Sequence, residues 1–283
     1  MATLIQGTKF QALADYTYSD LTDLRRYVEW STFDKHLIYC KTDNAQAMIS
    51  QLGQFKDHKF VIVTHNSDGG ICTPKVRSYD CDPNLTTWPD NIIKWFAQNL
   101  CINHPKITPI PIGLENDYCF PDLEKTKILK YIQNEYYHKI NLVYVNHNVG
   151  TNFKERQPIY DLLAKEKWAT VKYGRNPDNY ADYLRDLKQH AFVVCPPGNG
   201  VDTHRLWEAL YLGCIPIVKR YPGAEYFAAR FPIILVDSWD NITQDKLTEW
   251  VHAIKIWHIN CLVNYLDFNY WASLIREALC SKA

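Results

Sequence analysis

The chain has 283 residues, of which 47% are hydrophobic, and its 31 lysines and arginines balance 31 aspartates and glutamates. A chain with no net charge lacks the basic face of nucleic-acid-binding proteins, and no apolar run reaches the roughly 18 residues of a membrane helix. We therefore expect neither a nucleic-acid partner nor a membrane span. The length suits one large domain or two ordinary ones.

The nine cysteines are odd in number and scattered, and none of them forms a CxxC pair. A zinc site with the common ligand spacing is therefore not expected. Because no signal peptide is recognisable at the start of the chain, we expect reduced thiols and a cytoplasmic protein.

Helices and strands alternate along the first half of the chain. Strands are predicted at His36–Cys40, Lys59–Thr64 and Ile107–Ile112, and helices at Leu21–Trp30, Ala45–Leu52 and Leu123–Glu135. The pattern over Asn91–Cys101 predicts a further, amphipathic helix.

The alternation continues in the second half. Strands are predicted at Asn141–Val145, Thr170–Tyr173, Phe192–Cys195, Cys214–Val218 and Pro232–Val236. Helices are predicted at Arg156–Lys165 and Asn179–His190, from Asp202 or Thr203 to Gly213, and over most of Asp245–Ala283. This order predicts an α/β fold with parallel sheets. We expect two Rossmann-like domains, residues 1–138 and 139–283, whose strands face a cleft with their carboxyl ends. The terminal helices are free to pack back on the first domain.

Residues 192–219 carry the most informative pattern, because a strand runs through a glycine turn into a helix. Gly198 and Gly200 make the turn, and such a turn presents backbone N–H groups of the helix N-terminus to an anion, usually phosphate. Thr203 and the guanidinium of Arg205 follow at once, and a guanidinium suits phosphate. A second interpretation is a plain turn followed by an exposed Arg205–Glu208 helical pair.

The same stretch resembles the C-terminal signature of exostosin-like glycosyltransferases, glycosyltransferase family 47. The matching residues are Pro197, Gly198, Gly200, Asp202, Arg205, Trp207, Glu208, Ala209, Leu210, Gly213, Cys214, Ile215 and Pro216. Weaker resemblances cover Val143–Arg156, Thr64–Asp68, Trp95–Asn99 and Pro109–Asn116.

The resemblance implies a GT-B fold, a nucleotide-sugar donor in the C-terminal domain and inversion at the anomeric carbon. The cellular exostosins are membrane-anchored and luminal, and this chain is more similar to small soluble bacterial or viral members, in host cytoplasm if viral. Among these, a xylosyl donor is favoured.

Transfer from a nucleotide sugar requires fixed donors that stabilise the charge on the leaving diphosphate. We expect Arg156 to be a second cation for this purpose and Glu208 to accept hydrogen bonds from the ribose. The full set of expected donor-binding residues is Asn146, Thr151, Arg156, Gly198, Gly200, Asp202, Thr203, Arg205 and Glu208.

A base must also take the proton of the acceptor hydroxyl, and we expect it in the N-terminal domain. Asp68 is the first candidate, because it follows a predicted strand in a loop beside glycine. His65 is the second candidate and Glu115 the third. The alternative, structural interpretations are that Asp68 is a turn former, His65 a loop histidine and Glu115 a helix cap.

Asp80-Cys-Asp82 forms a DxD, the metal motif of GT-A-type transferases, but the following Pro83-Asn84 favours a simple turn. We therefore expect no metal site, no cofactor and no need for Mg²⁺ or Mn²⁺. Gly198-x-Gly200 is also no complete GxGxxG, and no acidic residue follows at the spacing that a dehydrogenase needs.

The sequence thus predicts a soluble inverting glycosyltransferase that moves a sugar from a UDP-sugar to a glycan hydroxyl, forming a β linkage. Two alternatives stay open. One is a metal-dependent transferase that uses Asp80 and Asp82. The other is a non-catalytic protein of the same fold that binds nucleotide sugars or carbohydrate, because fold does not fix activity.

Overall fold

A computed structural model describes residues 2–71, 89–119, 121, 124–173, 180–254 and 264–281. The chain divides into two compact units. The first contains Thr3–Ile112 and Asp267–Ala283, and the second contains Gly113–Leu266. The division proposed from the sequence, between residues 138 and 139, therefore falls inside the second unit.

The strands are β1 Tyr16–Thr17, β2 Lys35–Lys41, β3 Lys59–His65, β4 Ile92–Ala97, β5 Ile107–Pro109, β6 Asn141–His147, β7 Ala169–Tyr173, β8 His190–Val194, β9 Ile215–Lys219 and β10 Ile234–Val236. The helices are α1 Gly7–Leu13, α2 Leu21–Trp30, α3 Ala45–Leu52, α4 Lys125–Asn134, α5 Phe153–Leu163, α6 Tyr180–Lys188, α7 His204–Tyr211, α8 Pro222–Ala228, α9 Gln244–Ile254 and α10 Phe268–Cys280.

In the described part of the first unit, β1 to β5 form one parallel sheet in chain order. Its central strands are buried along almost their whole length, as expected for a parallel sheet covered on both faces. Helix α2 begins at Asp20, whose carboxylate accepts a hydrogen bond from the N–H of Asp23 at 3.0 Å. Leu24 and Val28, one helical turn apart, place α2 on the core of this sheet.

The predicted helix over Asn91–Cys101 is wrong, because Ile92–Ala97 is strand β4, paired with β3 and β5. A strand inside a parallel sheet is apolar on both faces, so a short apolar run does not distinguish it from a buried helix. The indole N–H of Trp95 donates to the hydroxyl of Thr64 at 2.9 Å, both residues being fully buried. This bond adds a side-chain contact between two neighbouring strands.

The described part of the second unit also has one parallel sheet, in the order β10-β9-β8-β6-β7. The chain leaves β6 for β7 on one side and then continues through β8 on the other side. The strand order therefore reverses between β6 and β8. Two parallel sheets, one in each unit, confirm the predicted α/β fold class.

Smaller differences concern boundaries. Helix α5 begins at Phe153, and α6 ends before His190, which opens β8. The predicted long C-terminal helix is interrupted, because residues 266 and 267 are not helical and α10 begins at Phe268. Residues 255–263 lie outside the described residues. In the described ranges, no helix combines the length and the apolar character needed to cross a membrane.

Candidate functional site

The strongest candidate site lies at the carboxyl edge of the second unit's sheet, where the strand order reverses. One loop leaves β6 and enters α5, and another leaves β8 and enters α7. Open α/β sheets bind their ligands in the crevice at such a reversal. Most of the donor-binding residues predicted from the sequence lie on these two loops or at the starts of the two helices, so the fold brings them to one edge.

Arg156 holds the two loops together. Its side chain is only 6% exposed, its Nε donates to the carbonyl of Pro197 at 2.8 Å, and its Nη1 donates to the carbonyl of Asn148 at 2.7 Å. The same Nη1 also donates to the hydroxyl of Thr151. The guanidinium is therefore fixed from both sides before any ligand arrives.

Gly198 is required by this arrangement. A Cβ at residue 198 would lie 2.6 Å from Nη2 of Arg156, which is closer than two such atoms can approach. The N–H of Gly198 donates to the carbonyl of Gly200 at 2.9 Å, and its own carbonyl accepts from the amide of Asn152 at 3.2 Å. The first glycine of the motif thus makes room for the arginine.

Arg205 is the second residue of α7, and its surroundings differ from those of Arg156. It is 6% exposed, its Nε is buried without a hydrogen-bond partner, and it forms no salt bridge with any described residue. Burying a charge without an opposite charge or a complete set of hydrogen bonds is costly. An anion bound at this position would supply the opposite charge and would accept hydrogen bonds from the guanidinium.

Other buried polar atoms, at the end of β6 and at the start of α7, have no partner in the described part of the chain either. They are Oδ1 of Asn146, Nδ1 of His147 and Oγ1 of Thr203. Thr203 is the N-cap of α7 but makes no side-chain cap, and the first N–H groups of a helix have no partner within the helix. Because unsatisfied buried atoms are rare in folded proteins, a polar ligand bound here would account for these atoms.

Asp202 and Glu208, both predicted to bind the donor, accept hydrogen bonds from the protein itself. The indole of Trp207 donates to the two carboxylate oxygens of Asp202 at 2.9 and 3.1 Å. The hydroxyls of Tyr180 and Tyr183 donate to the two oxygens of Glu208 at 2.9 and 2.8 Å. Both carboxylates are buried, so the alternative of an exposed Arg205–Glu208 pair is wrong. Ribose binding by Glu208 stays a prediction.

In the first unit, Asp68 lies exposed on the loop that follows β3. The loop is held by two residues that follow β4. Gln98 donates to the carbonyl of Ser67 at 2.9 Å, and Asn99 donates to the carbonyls of Ser67 and Asp68 at 3.2 and 3.3 Å. Neither amide was predicted from the sequence, because both lie in the segment predicted as a helix. Their position directly after an apolar strand was the available signal.

His65, the second candidate base, is the last residue of β3 and is 1% exposed. The N–H of Asn66 donates to its Nδ1 at 2.8 Å, so its Nε2 carries the proton and donates to the carbonyl of Pro111 at 3.0 Å. The ring also stacks on Phe10. As placed, His65 supports the loop, and both of its ring nitrogens lie within hydrogen-bond distance of neighbouring backbone groups.

Glu115, the third candidate, belongs to the second unit and not to the first. Its carboxylate forms an ion pair with Lys125 at the start of α4. Lys125 is buried and lies over the ring of Tyr180 at 5.4 Å from the centroid. This placement gives Glu115 a structural partner within its own unit.

No group of three or more metal-ligating side chains occurs among the described residues. Asp80 and Asp82 lie outside them. Burial raises the pKa of the Cys195 thiol, which follows β8 directly, so this cysteine stays protonated.

No protein-family model and no curated protein matches the sequence. Among solved structures, the crystal structure of the GtfA/B complex aligns with 93% of this chain and 61% of its own, at 13% identity and a TM-score of 0.42. The pneumococcal O-GlcNAc transferase GtfA, solved in complex with UDP and GlcNAc, aligns with 90% of this chain and 57% of its own, at 11% identity and a TM-score of 0.35. This chain therefore spans about three fifths of the length of these structures.

His147 makes the stability of the second unit depend on pH. Burial, and then the nearby guanidinium of Arg205, lower the pKa of His147 to about 3. In the unfolded chain, His147 takes up a proton as the pH falls through about 6.5, whereas in the folded chain it stays neutral there. The free energy of unfolding therefore decreases as the pH falls through about 6.5 and below. Lowering the pH from 7 to 5 should cost about 2 kcal/mol through this residue.

Urea unfolding at the two pH values measures this effect. His147→Gln should lose about 2 kcal/mol less stability than the wild type over the same change of pH. His138→Gln, at an exposed position of the same unit, is the matched control and should behave like the wild type. Equal losses in the wild type and in His147→Gln would contradict the assignment.

Proposed function

We propose that this protein is an inverting GT-B-type glycosyltransferase. It would transfer a sugar, with xylose favoured, from a UDP-sugar to a hydroxyl of a glycan acceptor and form a β linkage. The observation that carries the proposal is the buried guanidinium of Arg205, which has no salt bridge to a described residue and lies beside the Gly198–Gly200 turn.

The chemistry of this position favours a diphosphate. As the glycosidic bond breaks, negative charge develops on the leaving diphosphate, and donors fixed beforehand stabilise it best. Arg156 is fixed by carbonyl groups of two loops, so it needs no reorganisation when charge develops. Arg205, the turn and the first N–H groups of α7 complete a site of positive potential.

The neutral polar residues of the site fit the rest of the donor. Asn146 offers an unpartnered amide oxygen and Thr203 an unpartnered hydroxyl. Both suit the hydroxyl groups of a ribose or a sugar. In this proposal Asp202 fixes the start of α7 through Trp207, and Glu208 fixes α6 against α7 through two tyrosines.

We propose Asp68 as the base. Its carboxylate is exposed, and the amides of Gln98 and Asn99 hold the backbone of its loop. An inverting transfer is one in-line displacement, in which the base takes the acceptor proton opposite the leaving diphosphate. A UDP-α-sugar would therefore give a β-linked product.

The first test replaces Arg205 by alanine. Charge-assisted hydrogen bonds contribute about 1.5–3 kcal/mol, so the Kd for UDP in calorimetry should rise about 10- to 150-fold. Because the lost charge is buried and has no salt bridge to a described residue, the midpoint of thermal unfolding should stay the same or rise. Arg276→Ala, at an exposed position of α10, is the matched control. An unchanged affinity for UDP in Arg205→Ala would remove the assignment.

The second test replaces Asp68 by asparagine. A general base contributes about 10²–10⁴-fold, so kcat should fall by that factor while the Kd for the donor stays unchanged. Asp57→Asn is the control, because Asp57 is exposed and lies just before β3, at the opposite end of that strand. Full activity of Asp68→Asn would exclude this base, and an α-linked product in NMR coupling constants would exclude inversion.

The third test concerns metal. Because two guanidinium groups are proposed to balance the charge of the diphosphate, release of UDP from a UDP-sugar with an acceptor should survive EDTA. Loss of activity in EDTA, with recovery in Mn²⁺ and no recovery in Asp82→Ala, would favour the metal-dependent alternative. Tight binding of UDP-sugars without any release of UDP across a panel of acceptors would favour the non-catalytic alternative.

A further inference from the structure

Tyr173 is an exposed aromatic residue at the same edge of the second unit's sheet. It is the last residue of β7, and its side chain is 71% exposed. In the strand register it lies opposite His147, the last residue of β6. It therefore stands one strand away from the reversal point, on the side away from the glycine turn.

The ring of Tyr173 is held in place although it is exposed. It stacks on Tyr160 with a centroid distance of 4.4 Å and an interplanar angle of 17°. Tyr160 is 1% exposed, and its hydroxyl bonds to the N–H of His147 at 2.9 Å and to the carbonyls of His147 and Lys172 at 2.6 and 3.0 Å. A rigid buried ring thus presents a second, solvent-facing ring.

We infer that Tyr173 is the stacking platform for the nucleobase of the donor, an inference that rests on the proposed nucleotide-sugar function. An oriented aromatic face exposed to water stacks on any nucleobase. Neighbouring strands lie about 4.8 Å apart, so Tyr173 and the glycine turn after β8 are separated by roughly 10 Å across the sheet. A nucleoside diphosphate spans such a distance between its base and its phosphates.

The order of groups along the sheet also favours the base over the transferred sugar. Arg156 and Arg205 bind the diphosphate in the proposal, and they belong to the helices that follow the β6 and β8 loops. The base and the transferred sugar lie on opposite sides of a diphosphate. The part of the donor that binds at β7 is therefore either the base or the transferred sugar. Because the base is flat, it suits a flat aromatic platform better than the sugar does.

The experiment measures the Kd for UDP, GDP and inorganic pyrophosphate by calorimetry in the wild type, in four tyrosine variants and in Arg205→Ala. Of UDP and GDP, one binds better to the wild type, and Tyr173→Ala should raise its Kd by about 5- to 150-fold. The Kd for pyrophosphate should stay unchanged. Tyr173→Leu, which still covers Tyr160, should raise the Kd for that nucleotide similarly, and Tyr173→Phe should keep the wild-type affinity. Tyr136→Ala, at a tyrosine of the same unit that is 82% exposed, should change nothing.

The outcomes separate this inference from the proposed function. If Tyr173→Ala and Tyr173→Leu bind the nucleotide as the wild type does while Arg205→Ala loses it, the nucleobase platform is wrong and the donor site stands. If the wild type binds nucleotides no better than pyrophosphate, the platform is wrong as well. If the wild type binds none of the three compounds, the proposed function itself fails.

Discussion

The contact between the guanidinium of Arg156 and the backbone of residues 197 and 198 determines the form of the site. The arginine comes from α5 and the backbone from the loop after β8, so the contact fixes two loops that leave neighbouring strands. It leaves no room for a side chain at 198, and it gives the carbonyl groups of Pro197 and Asn148 a hydrogen-bond donor. A glycine and an arginine 42 residues apart are thus one structural unit.

Burial is the main cause that keeps two residues near the guanidinium groups uncharged. Burial and the field of Arg205 keep His147 neutral, and burial keeps Cys195 protonated. A neutral imidazole adds no positive charge to the site, and a neutral thiol does not pair with the guanidinium groups in place of an anion. The surroundings of the site therefore leave its positive charge to the two arginines.

Prediction from the sequence is correct where one pattern has one structural solution. The run of apolar strand, Gly198–Gly200 and Arg205 predicted a strand, a turn and a helix, and β8 and α7 lie there. Prediction failed at β4, because both faces of that strand are buried and the apolar run therefore shows no periodicity that would distinguish a strand from a helix. With that failure the amides of Gln98 and Asn99, which support the loop of Asp68, were missed. The partners of Asp202 and Glu208 were also beyond reach, since they depend on tertiary contacts with Trp207 and two tyrosines.

Those partners explain how a chain with equal numbers of acidic and basic residues can build a cationic site. Carboxylates lie close to Arg205 along α7, yet Asp202 accepts from an indole, Glu208 accepts from two phenols, and neither forms a salt bridge with Arg205. Hydrogen bonds from neutral donors hold the carboxylates in place, and neither carboxylate is paired with the guanidinium of Arg205. The acidic residues and the arginine of the motif at residues 202–208 therefore have different roles. Its acidic residues tie α7 to Trp207 and to α6, and its arginine is left with an unsatisfied Nε at the helix N-terminus, where an anion is stabilised most.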